Sequence, residues 1–439
     1  MALYAHKTLA DLRTALSNKL GDSDFWLTAE LDLYLKEGMR LLGATTYRWR
    51  KRESITLTQN QGWYDLYADS ATLNPTVTDQ NLLVEIQYHL LETISASSWT
   101  GTAQFTLSTI QTAMQGALDE FYFAVSPKLE VQTVAGAGMV DFHDLSAVSA
   151  TTPVVDIHRA AWLDTSGNYT TLWRTDEDEM RSWSPNFHNT QEDLPSTYSI
   201  YASQPLEVRL MPRSNQPGSV EYVFQKSAPL LDLATGVELG IPDDLSWVIK
   251  YGTLAELLDR EGVATDSGRA AYCRKRFEDG LEIAKLYPSA VNGQINGIPV
   301  SMGRTKDTDA YNTGWQNETS GIPNRLFFSG YNLFAVAPYP DAGPTSVLFD
   351  LVQPAILPTL ATDNIQLDKQ EIEAVLDYAQ HIASFKQGGQ EFTDTNGQMA
   401  DFMRRVNQKN GQLSKQAWAK EAQDQATWDD LVENAVKVR

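Results

Sequence analysis

The chain has one cysteine, Cys273, in 439 residues. No intrachain disulfide can form, so the fold does not rely on an oxidising compartment. Cys273 lies in "AAYCRKRF", a helical context that reads as a packed thiol and not as a nucleophile. No run approaches about 18 consecutive apolar residues, so no membrane-spanning helix and no membrane partner are expected. The opening "MALYAHKTLADL" has no basic segment followed by an apolar one, so no secretory leader is expected. Positive charge is scarce. Lys and Arg number 35 against 56 Asp and Glu, a net charge of −21. Such a surface keeps a protein soluble and repels duplex DNA, whose phosphates select basic faces.

Catalytic signatures are missing as well. The six histidines (His6, His89, His143, His158, His188 and His381) form no His-x-x-x-His or His-Glu-x-x-His pair, the spacing that sets two imidazoles on one helix face around zinc. There is no phosphate-binding glycine loop ending in Lys-Ser/Thr, no Gly-x-Gly-x-x-Gly after a strand and no Gly-x-Ser-x-Gly elbow. The acidic "TDEDE" at 175–179 invites a metal reading. Thr175 is, however, a good helix cap, and carboxylates in a first turn favour the helix dipole. Its echo "RTKDTD" keeps Thr305 but has Lys306 and Asp307 where the first copy has Asp176 and Glu177, which is too loose a copy for a metal site. The expectation is no catalytic residue, no metal and no cofactor.

What the chain does have is aromatic surface and repetition. Eleven Trp, eighteen Tyr and fifteen Phe call for large buried areas or large interfaces. Thr8 and Asp11 cap an amphipathic helix over 8–20 with Leu9, Leu12, Leu16 and Leu20 on one face, and Gly21 ends it. A second helix follows Thr28, carrying Leu31, Leu35, Gly38 or Met39, and Leu42, with Gly43 as its expected end. "ITLTQNQGWYDL" then reads as a β-hairpin. Ile110, Met114, Ala117 or Leu118, and Phe121 repeat the second helix 79 positions on, and "GMVDF" at 138–142 echoes "GWYDL" at 62–66, 76 positions on. "PVVDIHRAAWLD" echoes "LLVEIQYHLLE" and pairs Val84 with Val155 and Ile86 with Ile157, which favours a strand for both.

A different set of echoes fills the second half. "LWRTDEDEMRSW" at 172–183 matches "MGRTKDTDAYNTGW" at 302–315, aligning Trp183 with Trp315. "LEVRLMPRSNQPGSVEYVF" matches "LFAVAPYPDAGPTSVLFDL", with Val220, Tyr222 and Phe224 against Val347, Phe349 and Leu351. Tyr251 aligns with Tyr378, and "RKRF" at 274–277 with "MRRV" at 403–406. The order is early half, early half, late half, late half. Nesting explains that order. The expected fold class is α+β, with two homologous modules, each a helical bundle plus a small antiparallel sheet or sandwich, one inserted in the other. The outer module is residues 1–95 plus 297–411, the inner is 99–288, and 412–439 form a C-terminal helical arm. The Ser-, Gly- and Asn-rich junctions suit insertion at exposed loop tips. In the arm, Trp418, Trp428, Leu431 and Val432 make an apolar stripe, the expected partner interface.

These segments carry a family resemblance. "FWLTAELDLYLKEGMRLL", "ITLTQNQGWYDL", the Arg-Thr-acidic helix, "LEVRLMPRSNQPGSVEYVF" and "IPDDLSWVIKYGTLAELLD" follow one another as in the head-to-tail adaptor proteins of tailed bacteriophages. Tyr64, Asp65 and Leu66 keep the hairpin motif but Tyr67 stands where Pro is usual, while Pro242 and Asp243 keep the motif before the late helix. Those adaptors are typically single modules of about 200 residues, so the doubled arrangement departs from the pattern. The resemblance implies a virion structural protein, assembled in the host cytoplasm and located in the neck between capsid and tail. It would form a homo-oligomeric ring, with a dodecamer favoured over a hexamer, bind the portal protein and a tail or nozzle protein, and let genomic DNA pass without tight binding. Two other classes compete. One is a tail-ring, tail-hub or baseplate protein. The other is a glycan-binding protein or hydrolase using Trp99, Trp183 and Trp315, although the recurrence of the last two favours packing.

Overall fold

The first helix, α1 (Leu9–Leu20), starts at a reciprocal cap. The Asp11 backbone N–H donates to Thr8 Oγ1 at 3.2 Å and the Thr8 N–H donates to Asp11 Oδ2 at 2.9 Å. Those bonds hold the Asp11 carboxyl below its usual range. Gly21 closes the helix in the left-handed conformation, at φ 75°. The chain continues through α2 (Thr28–Thr46), β1 (Arg50–Leu57), β2 (Trp63–Asp65), α3 (Leu66–Asp69) and α4 (Asp79–Leu90). Next come α5 (Leu107–Val125), β3 (Leu129–Ala135), β4 (Phe142–Asp144), β5 (Val154–Asp164), β6 (Tyr169–Arg174) and α6 (Glu177–Trp183). They are followed by β7 (Gln191–Glu192), β8 (Thr197–Ser203), β9 (Leu206–Met211), β10 (Arg213–Ser214), β11 (Gly218–Lys226), α7 (Ser246–Asp259) and α8 (Ser267–Leu286). The last part holds β12 (Ala290–Ile295), β13 (Ile298–Pro299), β14 (Ser301–Arg304), α9 (Thr305–Tyr311), β15 (Arg325–Ser329), β16 (Leu333–Ala337) and β17 (Thr345–Val352). It closes with α10 (Lys369–Gln387), α11 (Gly389–Asp394) and a helical stretch over 396–409. This computed structural model describes residues 6–21, 25–90, 105–135, 142–145, 152–183, 186, 191–192, 194–203, 206–260, 266–341 and 345–409. The class is α+β, as expected.

The described residues divide into two compact units. One gathers the described parts of Met1–Arg48, Glu85–Ile94 and Ala355–Arg439 and is helical. Its core is α2 against α10, where Gly38 lets Tyr378 and Val375 approach closely. Tyr378 donates to the buried Glu37 at 2.6 Å, and the buried Glu30 accepts from Tyr34 at 2.6 Å and from Lys386 at 2.9 Å. Buried carboxylates persist only with such partners.

The other unit, within Trp49–Val84 and Ser95–Pro354, holds every named strand together with α5, α7 and α8. Its main sheet has the order β3-β11-β5-β6-β8-β9-β4, and two four-stranded sheets have the orders β1-β17-β12-β13 and β14-β15-β16-β2. β11 pairs antiparallel with β3 and β5, and β17 pairs antiparallel with β1 and β12. β6 pairs parallel with β8, then β8-β9 and β9-β4 are antiparallel. β14 pairs parallel with β15, then β15-β16 and β16-β2 are antiparallel. The two sets of strands share one pattern of senses. Each encloses its own apolar core, one around Tyr198, Val208, Tyr222 and Phe224, the other around Tyr64, Phe334, Val347 and Phe349.

Four expectations are corrected. Residues 79–90 are the helix α4 and not a strand. Leu82 and Ile86, four apart, are both buried and Val84 is exposed, so burial on a helical face overrides β-branched propensity. The structural counterpart of Trp63-Tyr64-Asp65-Leu66 is Phe142-His143-Asp144-Leu145, since Trp63 lies opposite Ala335 in β16 and Phe142 opposite Arg209 in β9. That spacing equals the one from Thr28 to Leu107, which open two helices of 19 residues each. "GMVDF" is therefore out of register, and its residues 138–141 lie outside the described ones. α2 runs past Gly43 to Thr46 and ends at Tyr47 with φ 50°, as α5 ends at Ser126 with φ 52°. Finally, Thr175 and Thr305 do not cap. Asp176 Oδ1 accepts from the Glu179 N–H at 2.6 Å, and Thr305 is itself the first residue of α9.

Gly116 and Gly252 separate close packing from propensity. A Cβ on Gly252 would stand 2.7 Å from the Ala117 Cβ and 2.9 Å from the Phe277 ring, whereas one on Gly116 meets only Glu256 Oε2 at 3.5 Å. Gly252→Val is expected to destabilise by about 1–3 kcal/mol through overpacking, and Gly116→Ala to stabilise by about 0.5–1 kcal/mol. Urea unfolding midpoints of the two variants check this.

Candidate functional site

An alternating strand normally turns its polar residues to water. In β11, Val220, Tyr222 and Phe224 point into the core, so Glu221, Val223 and Gln225 belong to the opposite face. That face is also covered. Val223 and Leu129 join Trp63, Trp315, Phe327, Leu333, Ala335 and Ala337 in one apolar cluster. The face of β3-β11-β5 is thus packed on the face of β14-β15-β16-β2.

Arg159, on β5, is the ionic centre of that contact, with 5% of its surface exposed. Its Nε donates to Asp309 Oδ2 at 2.7 Å, Nη1 to Glu221 Oε1 at 3.1 Å and Nη2 to Gln316 Oε1 at 2.5 Å. The guanidinium also lies 5.9 Å and 5.4 Å from the ring centres of Trp63 and Trp315. One cation faces two carboxylates, and neutral donors complete the set. Trp315 Nε1 donates to Asp309 at 2.8 Å, Trp63 Nε1 to Glu221 at 3.2 Å and Gln316 Nε2 to Glu221 at 2.9 Å. Burial, with the Glu221 charge nearby, pushes the Tyr169 phenol up to about 12. The Tyr339 phenol is raised by the same causes.

A second polar lock uses Asn332, which is fully buried. Its Oδ1 accepts from the Leu129 N–H and its Nδ2 donates to the Leu129 carbonyl, both at 2.8 Å. The amide thus does for β3 what a neighbouring strand would do. Near it, the Tyr331 N–H donates to the Pro127 carbonyl at 3.2 Å. At the other end, Asn317 exchanges two hydrogen bonds with the Tyr169 backbone, at 2.6 and 2.7 Å.

The residues singled out by sequence are distributed otherwise. Trp315 is wholly buried in the contact just described. The Trp183 side chain, Trp99 and the arm residues Trp418, Trp428, Leu431 and Val432 lie outside the described residues. Cys273 is buried in α8, and burial raises its thiol far above the usual range. The "TDEDE" carboxylates make local ion pairs, Glu177 with Arg209 at 3.0 Å and with Arg181 at 3.5 Å. Among the described residues no three His, Cys, Asp or Glu are grouped to hold a metal ion, and no helix is long and apolar enough to cross a membrane. Sequence reading missed Arg159, Glu221, Asp309 and Gln316. For Arg159 and Glu221 the signal was present as charges inside the apolar strands "VVDIHRAAWLD" and "SVEYVF".

The arrangement joins two sheet faces within the chain. Residues 82–297 match the family described as SU10 adaptor protein, so the resemblance to the head-to-tail adaptors is shown over that segment. No curated protein matches the chain. Among solved structures, a chain from the neck of an empty GTA particle, computed with C6 symmetry, is similar at 13% identity, covering 46% of this chain and 94% of that one. The TM-score is 0.17, too low to equate the two folds.

Arg159→Met would leave two buried carboxylates without their cation, at an expected cost of about 3–5 kcal/mol. Adding Asp309→Asn and Glu221→Gln should recover much of that loss, because the burden is uncompensated charge. Chemical unfolding of the single and triple variants measures both. Asn332→Leu strips the Leu129 backbone of both partners and should cost about 1–3 kcal/mol for each group left unpaired, with hydrogen exchange at β3 accelerated.

Proposed function

We propose that this chain forms a homo-oligomeric ring in the virion neck, where it joins the portal to a tail or nozzle protein and continues the channel through which genomic DNA passes. The match of residues 82–297 to the SU10 adaptor family carries this reading. The net charge of −21 supports it, because an acidic wall lets duplex DNA slide past without sticking.

Within the ring each chain supplies two modules, the inner at 99–288 and the outer at 1–95 plus 297–411. The shared pattern of strand senses supports this nesting. β12 pairs with β17, which favours an outer module that resumes already at Ala290. Twelve chains form the ring. Six chains, imitating twelve subunits, is the competing count. The arm at 412–439 docks on the portal or tail partner through Trp418, Trp428, Leu431 and Val432. The virion neck is the location, reached by assembly in the host cytoplasm.

Native mass spectrometry of the purified full chain, with end-on images, tests the ring. Twelve chains are expected, six would overturn that count, and a monomer at all concentrations would sink the ring itself. Deleting 412–439 is expected to leave the number of chains per ring unchanged and to abolish capture of portal protein. Retained capture would count against the arm.

A further inference from the structure

Two helix pairs in this chain share one geometry. α2 and α5 are each 19 residues long, and each ends in a left-handed residue, Tyr47 and Ser126. α2 crosses α10 where Gly38 meets Tyr378, and α5 crosses α7 where Gly252 meets Ala117. Ala117 stands 79 positions after Gly38, and Gly252 follows Tyr251, the residue aligned with Tyr378. The pairs differ in what lies on them. The C-terminal half of α4 rests on the first. Arg40 Nη1 donates to Glu85 Oε1 at 3.1 Å, and the His89 ring centre is 5.5 Å from that of Tyr34 and 5.4 Å from that of Phe385. In the sequence α4 is echoed by "PVVDIHRAAWLD", and that segment holds the strand β5 of the main sheet. Among the described residues the second pair carries no such helix.

A groove of about 660 Å³ lies there instead, lined by α5, α7, Arg260 and α8. Its α5 wall is the side on which α2 receives α4. Residues three and four apart share a helix face, and Gly116 corresponds to Glu37, between Tyr34 and Arg40. The floor is made of small residues, Gly116, Ala117, Gly252, Ala255 and Ala270. Packing inside the chain explains Gly252, because a Cβ there would strike Ala117 and Phe277. Nothing among the described residues explains Gly116. It is exposed, in mid-helix, and an added Cβ would meet only Glu256 Oε2 at 3.5 Å. Glycine is a poor helix former, and it suits a place where another backbone comes close. The rim is acidic. Arg274 pairs with Glu120 at 3.0 Å and Arg260 with Glu256 at 2.7 Å, and the exposed Asp119 and Asp259 stand beside them. Asp119 corresponds to Arg40, so the charge that faces Glu85 on the first pair is reversed on the second.

We infer that this groove is an interaction surface for a basic amphipathic helix of a partner protein. The occupant lies across α5 and α7 as α4 lies across α2 and α10. It sets bulky apolar side chains on the small floor and a Lys or Arg against Asp119 and Asp259, where α4 has Glu85. The position of α4 defines the shape that fits, and the acidic rim defines the charge. This surface is independent of the ring reading, since it lies within one chain.

Two stapled helical peptides of residues 79–90 are the probes, one of native sequence and one with Glu85→Lys, titrated by calorimetry against the full chain. The Glu85→Lys peptide is expected to bind at least about tenfold more tightly, because like charges across a contact repel. Gly116→Trp fills the groove from an exposed helix position, so the melting temperature should hold while binding weakens at least about tenfold by steric clash. Asp119→Lys combined with Asp259→Lys should turn the preference toward the native-sequence peptide. If Gly116→Trp melts early, that double variant decides by itself, and an unchanged preference overturns the inference. Binding of neither peptide, equal binding of both, or binding that a folded Gly116→Trp chain retains overturns it too. A groove that takes the Glu85→Lys peptide only after deletion of 412–439 holds the chain's own arm. A groove whose filling by Gly116→Trp lowers the number of chains per ring holds a second copy. Either result overturns a partner protein as the occupant.

Discussion

Burying a guanidinium beside two carboxylates is costly unless every donor and acceptor is matched. Arg159 meets that condition only because four separate segments converge on it. β5 carries the cation, β11 brings Glu221, α9 brings Asp309 and the turn after it brings Gln316 and Trp315. Those segments come from two different strand sets. The charge therefore sets the register between sheets as well as within one. Apolar packing around Trp63 and Phe327 tolerates small slips, whereas three charged or amide partners within about 3 Å of one fork do not.

The same logic explains why both faces of β11 are buried. A sheet with one wet face needs only alternation. Here the second face became a contact surface, so Glu221 and Arg159 are retained as buried polar groups with assigned partners. Asn332 belongs to this picture. Its side-chain amide completes the backbone bonding of β3 at a place where no strand is available.

Repetition in the sequence was readable where a helix or strand had a one-sided pattern. The helices of 19 residues, the β11 and β17 strands and the turn-bounded hairpins all stood out, because Ile110, Met114 and Phe121 can face a core only at helical spacing. Short strands were harder. "GWYDL" was matched to "GMVDF" by its glycine and aspartate, yet hydrogen-bond register pairs Trp63 with Ala335 and Phe142 with Arg209. Three residues carry too little pattern to fix a register, and only the partner strand does so. The α4 segment failed for a related reason. Its Val and Ile content argued for a strand, while the burial that settles the matter depends on what lies against it.

By itself, the sequence determined the α+β class, the absence of disulfide-dependent folding and the excess of acidic charge. These follow from composition and local periodicity, which act within a few residues. Only the tertiary structure decided that Arg159 is an internal ionic centre, that Trp315 is packing and not a ligand platform, and which sheet faces are covered. Those outcomes depend on contacts between residues as far apart as Arg159 and Asp309, and no local pattern encodes which of two equivalent faces will be the one that is buried.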